Sequence, residues 1–125
     1  MGHQTAGHPD RARLDAATAR TVAATLQALA APSRLLILEN LGDGPMTVGE
    51  LTDALGMEQS AVSHQLRLLR DLGFVVGERQ GRHMIYRLFD SYVAELVNQA
   101  VSHAEHVSIG AVERPSEHAD NLKAF

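Results

Sequence analysis

The chain has 125 residues, 45% of them apolar, no cysteine and a formal net charge of −4. That length fits one domain with a modest core, and the lack of cysteine excludes disulfides and thiolate metal sites and agrees with a reducing compartment. The acidic total does not exclude nucleic acid, because residues 61–89 hold five arginines against two acids while the flanking segments are acidic.

In chain order, residues 1–13 are polar with glycine and proline and are expected to form a flexible arm. Asp15 is a good N-cap for an alanine-rich helix to about Ala30, with Val22, Leu26 and Leu29 in one apolar line. Pro32 suits the first turn of a second helix burying Leu35, Leu36, Leu38 and Leu41, and Gly42-Asp43-Gly44-Pro45 then turns the chain. Thr47-Val48-Gly49-Glu50 has the form of a capping box, which predicts a short helix to about Leu55 stopped by Gly56. A further helix covers Glu58 to Arg70 and ends at Gly73. Phe74 to Gln80 and His83 to Leu88 alternate like a hairpin with Gly81 at its tip, and Asp90 caps a last helix from Ser91 to about His106. Beyond Gly110 the sequence is polar and aperiodic. The expected organisation is an arm at 1–13, a domain at 14–107 and a flexible tail at 108–125, with no internal repeat.

The helix from Glu58 to Arg70 has two chemically different faces. Val62, Leu66 and Leu69 recur at helical spacing, whereas Gln59, Ser60, Ser63, His64 and Arg67 offer short hydrogen-bonding groups or charge on the other side. A helix built this way can read base edges, with Arg67 on the backbone. Taken singly, Ser60 and Ser63 also suit a plain N-cap and a surface hydroxyl, and His64 a solvated side chain. The capped helix before it completes a helix-turn-helix, and the hairpin that follows brings Arg79 and Arg82 beside its tip, where they can touch phosphates or enter a minor groove. The fold class expected is therefore mostly α with a small β-hairpin, a winged helix-turn-helix.

These residues carry a resemblance. Ala31-Pro32-Ser33-Arg34-Leu35 before a buried helix, the run Gln59-Ser60-Ala61-Val62-Ser63-His64-Gln65-Leu66, the Gly81 wing and the Asp90-led last helix together resemble the ArsR/SmtB metalloregulators over roughly residues 15–107. Within that family the chain looks most similar to the nickel/cobalt-sensing branch, whose members can also begin Met-Gly-His and carry His-x-x-His late in the last helix, as His103 and His106 do here. The resemblance implies a homodimeric repressor, joined through its first and last helices, that binds an inverted-repeat operator and releases it when metal binds.

The last helix supplies a seam and candidate ligands. Val93, Leu96, Val97, Ala100, Val101 and Ala104 form an apolar stripe fit to pack on a partner helix. His103 and His106 lie one turn apart at its edge, while Asp90 is about 24 Å away along the helix, too far to share an ion within one chain. Antiparallel pairing in a dimer would bring Asp90 of one subunit to the histidines of the other, giving two equivalent sites. Read alone, Asp90 is an ordinary N-cap and the histidines complement a helix dipole; the resemblance implies a metal site. Related sensors place a histidine two residues after the aspartate, where this chain has Tyr92, a poor ligand. Loss of Met1 would free the Gly2 amine beside the His3 imidazole as a replacement pair. With Asp90, His103 and His106 these make five nitrogen or oxygen donors, a set suited to six-coordinate Ni²⁺ or Co²⁺, with four-coordinate Zn²⁺ as a further candidate. His8 and His118 rank lower as substitutes.

No Gly-x-Ser-x-Gly turn, phosphate-binding glycine loop or His-Glu-x-x-His occurs, so an enzyme is not expected. Two other readings stay open: the same DNA-binding fold with a non-metal inducer or none, and a metal carrier that uses its histidines without DNA. No apolar stretch approaches a membrane span, the polar start is unlike a signal peptide, and Ala6 stands where N-myristoylation wants serine or threonine. A cytoplasmic protein without membrane contact is expected.

Overall fold

The computed structural model describes residues 13–113; Gly2, His3, His8 and His118 lie outside them. Five helices and three strands occur among the described residues, and the chain divides into two units between Ala31 and Pro32. The first unit contains α1 (Ala16–Leu29). Its N-cap is Asp15, whose carboxylate accepts from the Thr18 amide at 2.8 Å. That bond holds the Asp15 carboxyl below its ordinary value of 3.8. The contribution of this cap is therefore complete above the ordinary carboxylate range and is lost as pH falls through the lowered value. Of the expected apolar line only Leu29 is buried, and Val22 and Leu26 are exposed.

The second unit opens with α2 (Pro32–Leu41), with proline in the first turn, where a missing amide costs nothing. Ile37, Leu38 and Leu41 are its buried residues, whereas Leu35 and Leu36, expected inside, are exposed. After the turn at Gly42–Gly44 come β1 (Met46–Thr47) and α3 (Val48–Leu55). The capping box forms: Glu50 N–H donates to Thr47 Oγ1 at 3.0 Å and Thr47 N–H to Glu50 Oε1 at 2.8 Å. Gly56 closes α3 in the left-handed conformation at φ 65°. Next is α4 (Gln59–Asp71), whose end is a Schellman arrangement: Phe74 N–H donates to Leu69 O and Gly73 N–H to Arg70 O, with Gly73 at φ 85°.

Strands β2 (Val75–Gln80) and β3 (His83–Leu88) pair antiparallel from Val75 opposite Leu88 to Gln80 opposite His83. The hairpin is joined on its β3 side by β1, with Met46 opposite Tyr86 and Thr47 opposite Ile85, so the sheet has three strands in the order β1-β3-β2. This third strand is an addition to the simple hairpin expected. The last helix, α5 (Ser91–Glu113), starts with the Val93 amide donating to Asp90 Oδ1 at 3.2 Å. It passes both the expected end at His106 and the domain limit drawn at 107, because Gly110 weakens a helix by only ~1 kcal/mol and nothing before Pro115 must break it.

The core of this unit joins α2 to Leu51 of α3, to Val62, Leu66 and Leu69 of α4, to Phe74, Val75 and Tyr86 of the sheet, and to Val93 and Val97 of α5. No single helix among the described residues is long and apolar enough to cross a membrane.

The wing is fitted tightly at one point. A Cβ at Gly77 would lie 2.9 Å from Cε1 of Tyr86, its buried cross-strand partner, and 3.1 Å from Cε of Met84. Gly77→Val should lower stability by about 1–3 kcal/mol through this overpacking, read as a fall in the urea midpoint. Gly49→Ala is the control: the nearest atom to its Cβ is Thr47 Oγ1 at 3.8 Å, and it should not destabilise.

Candidate nucleic-acid interface

Val62, Leu66 and Leu69 are completely buried, which fixes the inner side of α4. At about 100° per residue, Ser60, Ser63, His64 and Arg67 fall on an arc roughly 100° wide on the other side, with Gln59 nearer the boundary. Gln59, Ser60, His64 and Arg67 are exposed and Ser63 is half-buried. Hydroxyl, amide, imidazole and guanidinium groups on one side of a helix can donate to and accept from base edges and phosphates. The N-cap Glu58 makes no side-chain capping bond, so the first-turn amides are not closed off by it and suit a phosphate oxygen.

The wing arginines come from the hairpin beyond α4. Arg79 is exposed on β2 opposite Met84, and Arg82 is exposed in the two-residue turn after Gly81. Gly81 has φ 62°, a conformation that favours glycine, and the pairing of Gln80 with His83 forces the turn to be this tight. Arg87, by contrast, lies down along its strand and donates to Leu88 O at 3.4 Å.

The expected sensor residues lie on α5. Asp90 acts as its N-cap through Oδ1, which leaves the second carboxylate oxygen outside that bond. His103 and His106 are exposed one turn apart, and Tyr92 is 74% exposed. Among the described residues no three His, Asp or Glu side chains of one protomer come together in a way that could hold an ion. Asp90 and the histidines are thus not brought together within the chain, and Gly2 and His3 fall outside the described residues.

A polar link that sequence spacing does not show joins α2 to α4, where Arg34 Nη1 donates to Gln65 Oε1 at 3.1 Å. Arg34 lies in the run Ala31–Leu35 and Gln65 in the run Gln59–Leu66, yet only their position on neighbouring helices reveals the pairing.

The model of the family described as bacterial regulatory protein, arsR family, matches residues 31–76, which run from α2 to the start of the wing. NmtR of Mycobacterium tuberculosis, an HTH-type transcriptional regulator, is 54% identical over 115 residues, covering 91% of this chain and 96% of that protein. The chain belongs to the arsR family. The HTH-type transcriptional repressor SmtB of the same organism is 45% identical over 77% of this chain and 67% of its own. Among solved structures, apo-NmtR in solution superposes with a TM-score of 0.66 at 55% identity, covering 81% of this chain and 85% of that one. The antimony-specific repressor AntR gives 0.70 at 30% identity, covering 82% and 94%. Like other arsR-family members, the protein is a DNA-binding transcriptional regulator and not an enzyme.

Variants of Ser63 and Arg82 would distinguish two kinds of DNA contact. Ser63→Ala should cost ~1–3 kcal/mol mainly at one base position, whereas Arg82→Ala should weaken all sequences alike and flatten the salt dependence by about one counterion. Binding to mutated duplexes across a salt series measures both, and equal loss on preferred and random DNA for Ser63→Ala would remove Ser63 from the base-reading set.

Proposed function

We propose that the protein is a cytoplasmic homodimeric repressor that binds an inverted-repeat operator and is released from it by Ni²⁺ or Co²⁺. Gln59, Ser60, Ser63 and His64 read bases, and Arg67, Arg79 and Arg82 hold the backbone. The observation that carries the sensing half is the pair His103 and His106, exposed one turn apart in a chain 54% identical to NmtR and resembling the nickel/cobalt-sensing branch.

Dimerisation through the first and last helices is supported by apolar surface that one protomer leaves open. Val93 and Val97, expected in the seam, are buried within the protomer. The exposed stripe is instead Ala100, Val101 and Ala104 of α5, which with Pro32, Leu35 and Leu36 of α2 lines an apolar groove of about 380 Å³. On α1, Val22 and Leu26 are exposed as well. An apolar groove such as that between α2 and α5 marks an association face. Val101→Glu, an exposed position that the protomer's own core does not need, should weaken the dimer by several kcal/mol, visible by sedimentation. An unaltered dimer would put the interface elsewhere.

The donor set fits the ions named. Asp90, His103 and His106, joined across two protomers and completed by the Gly2 amine and His3, offer nitrogen and oxygen without thiolate, which suits borderline ions of high coordination number. The ion would tie the two protomers together and favour one arrangement of paired α5 helices. The effect on DNA is then a coupling free energy of ~1–3 kcal/mol, and bound operator must weaken metal binding by the same amount. Protons compete with the ion for the same nitrogens, so metal binding should strengthen as pH rises.

A second reading is favoured by Tyr92, whose exposed phenol stands where a related sensor has a ligand: the same regulator with another inducer or none. Titrating the DNA complex of wild type and His103→Ala with Ni²⁺, Co²⁺ and Zn²⁺ separates the two. Release from wild type but not from the variant, with apo DNA binding unchanged, is expected. Release of both at one metal concentration would remove α5 from sensing.

A further inference from the structure

Gln65 stands in the middle of α4 but apart from the groups turned toward DNA. At about 100° per residue it lies on one flank of the buried stripe, with Ser63 on the other. There it accepts the hydrogen bond from Arg34, which spans 31 residues of sequence in a part-buried setting. The side-chain bonds of Thr21, Asn40 and Thr52, by comparison, stay within four residues on their own helices.

Apolar burial decides which side of α4 faces the core but sets its roll less finely than a directional bond does, because the hydrophobic effect has no direction. Roll matters for reading. A turn of ~15° about the axis moves a group ~5 Å from it by ~1.3 Å, enough to take a hydrogen bond at ~2.9 Å out of range. A directional bond on the flank resists such a turn. The guanidinium suits this task, since its planar fork holds its donors in fixed geometry.

We propose that Arg34 is a positioning residue for sequence recognition: through Gln65 it fixes the roll of α4, so that α2 determines how Ser60, Ser63 and His64 meet the base edges. Neither residue need touch DNA. The inference rests on the sequence-specific reading proposed above.

The test uses the whole 125-residue chain. Wild type first enriches a preferred duplex from a random library. Affinity for that duplex and for a random duplex of equal length is then measured, at fixed salt, for Arg34→Met, Gln65→Met, the double variant and Arg34→Lys. Gln65→Met should lose about tenfold on the preferred duplex, as expected for one hydrogen bond, and Arg34→Met at least as much, with random DNA changed less than about twofold. The double variant should be no weaker than the poorer single, because either change removes the same bond. Arg34→Lys, which keeps a donor and the charge, should recover part of the loss. Additive losses, equal losses on random DNA, or a changed preference at one base for Gln65→Met alone would each overturn the proposal. Thermal melting guards the comparison; if Arg34→Met melts early, Gln65→Met and Arg34→Lys carry the test. A wild type that enriches no sequence would overturn the operator reading as well, which distinguishes the two failures.

Discussion

Burial of Val62, Leu66 and Leu69 along one side of α4 is the interaction on which the other parts of the second unit depend. Three side chains removed completely from water contribute roughly 5–9 kcal/mol, far more than any single polar contact near them. Their opponents in the core come from α2, α3 and the sheet, so anchoring α4 also ties these elements to one another. The same burial forces the polar side outward, and recognition chemistry follows from where the apolar residues are not.

The segments proposed for DNA and for metal differ in charge. Five of the chain's eleven basic residues fall in the stretch from α4 through the wing, while the last helix is acidic, with Glu95, Glu105 and Glu113 and no lysine or arginine. A charge distribution of this kind would draw phosphates to one part of the surface and orient the protein before any base is touched. The Arg70–Asp71 pair at 3.3 Å adds little, since both partners are largely exposed. α2 packs against both α4 and α5, so the helix beneath the reading surface also meets the helix that carries the candidate ligands.

Much of this fold is legible in the sequence where the determining interactions are local. The Thr47 capping box, the Asp15 and Asp90 caps, and the glycines at 56, 73 and 81 act within a few residues, and each element they bound is where they indicate. Non-local facts are not written that way. β1 has two residues and exists because Tyr86 and Ile85 arrive from some forty positions away. In Leu35-Leu36-Ile37-Leu38 every direction is apolar, so periodicity alone does not say that Ile37 goes inside while Leu35 and Leu36 stay out. For the candidate sites, the two-faced helix α4 was visible because its sides differ in chemistry. The Arg34–Gln65 bond was not, because it belongs to two helices at once, and the proposed sensor would need residues from a second chain.

Thr47 has a further consequence. It pairs with Ile85 of the wing while its hydroxyl and amide close the first turn of α3. One residue therefore belongs to the base of the sheet and to the start of the helix-turn-helix, and fraying of either releases the bonds of the other. The amides of β3 and of the first turn of α3 should accordingly exchange with solvent as one cooperative unit, so that the wing of this regulator loosens together with its helix-turn-helix and not as an independent arm.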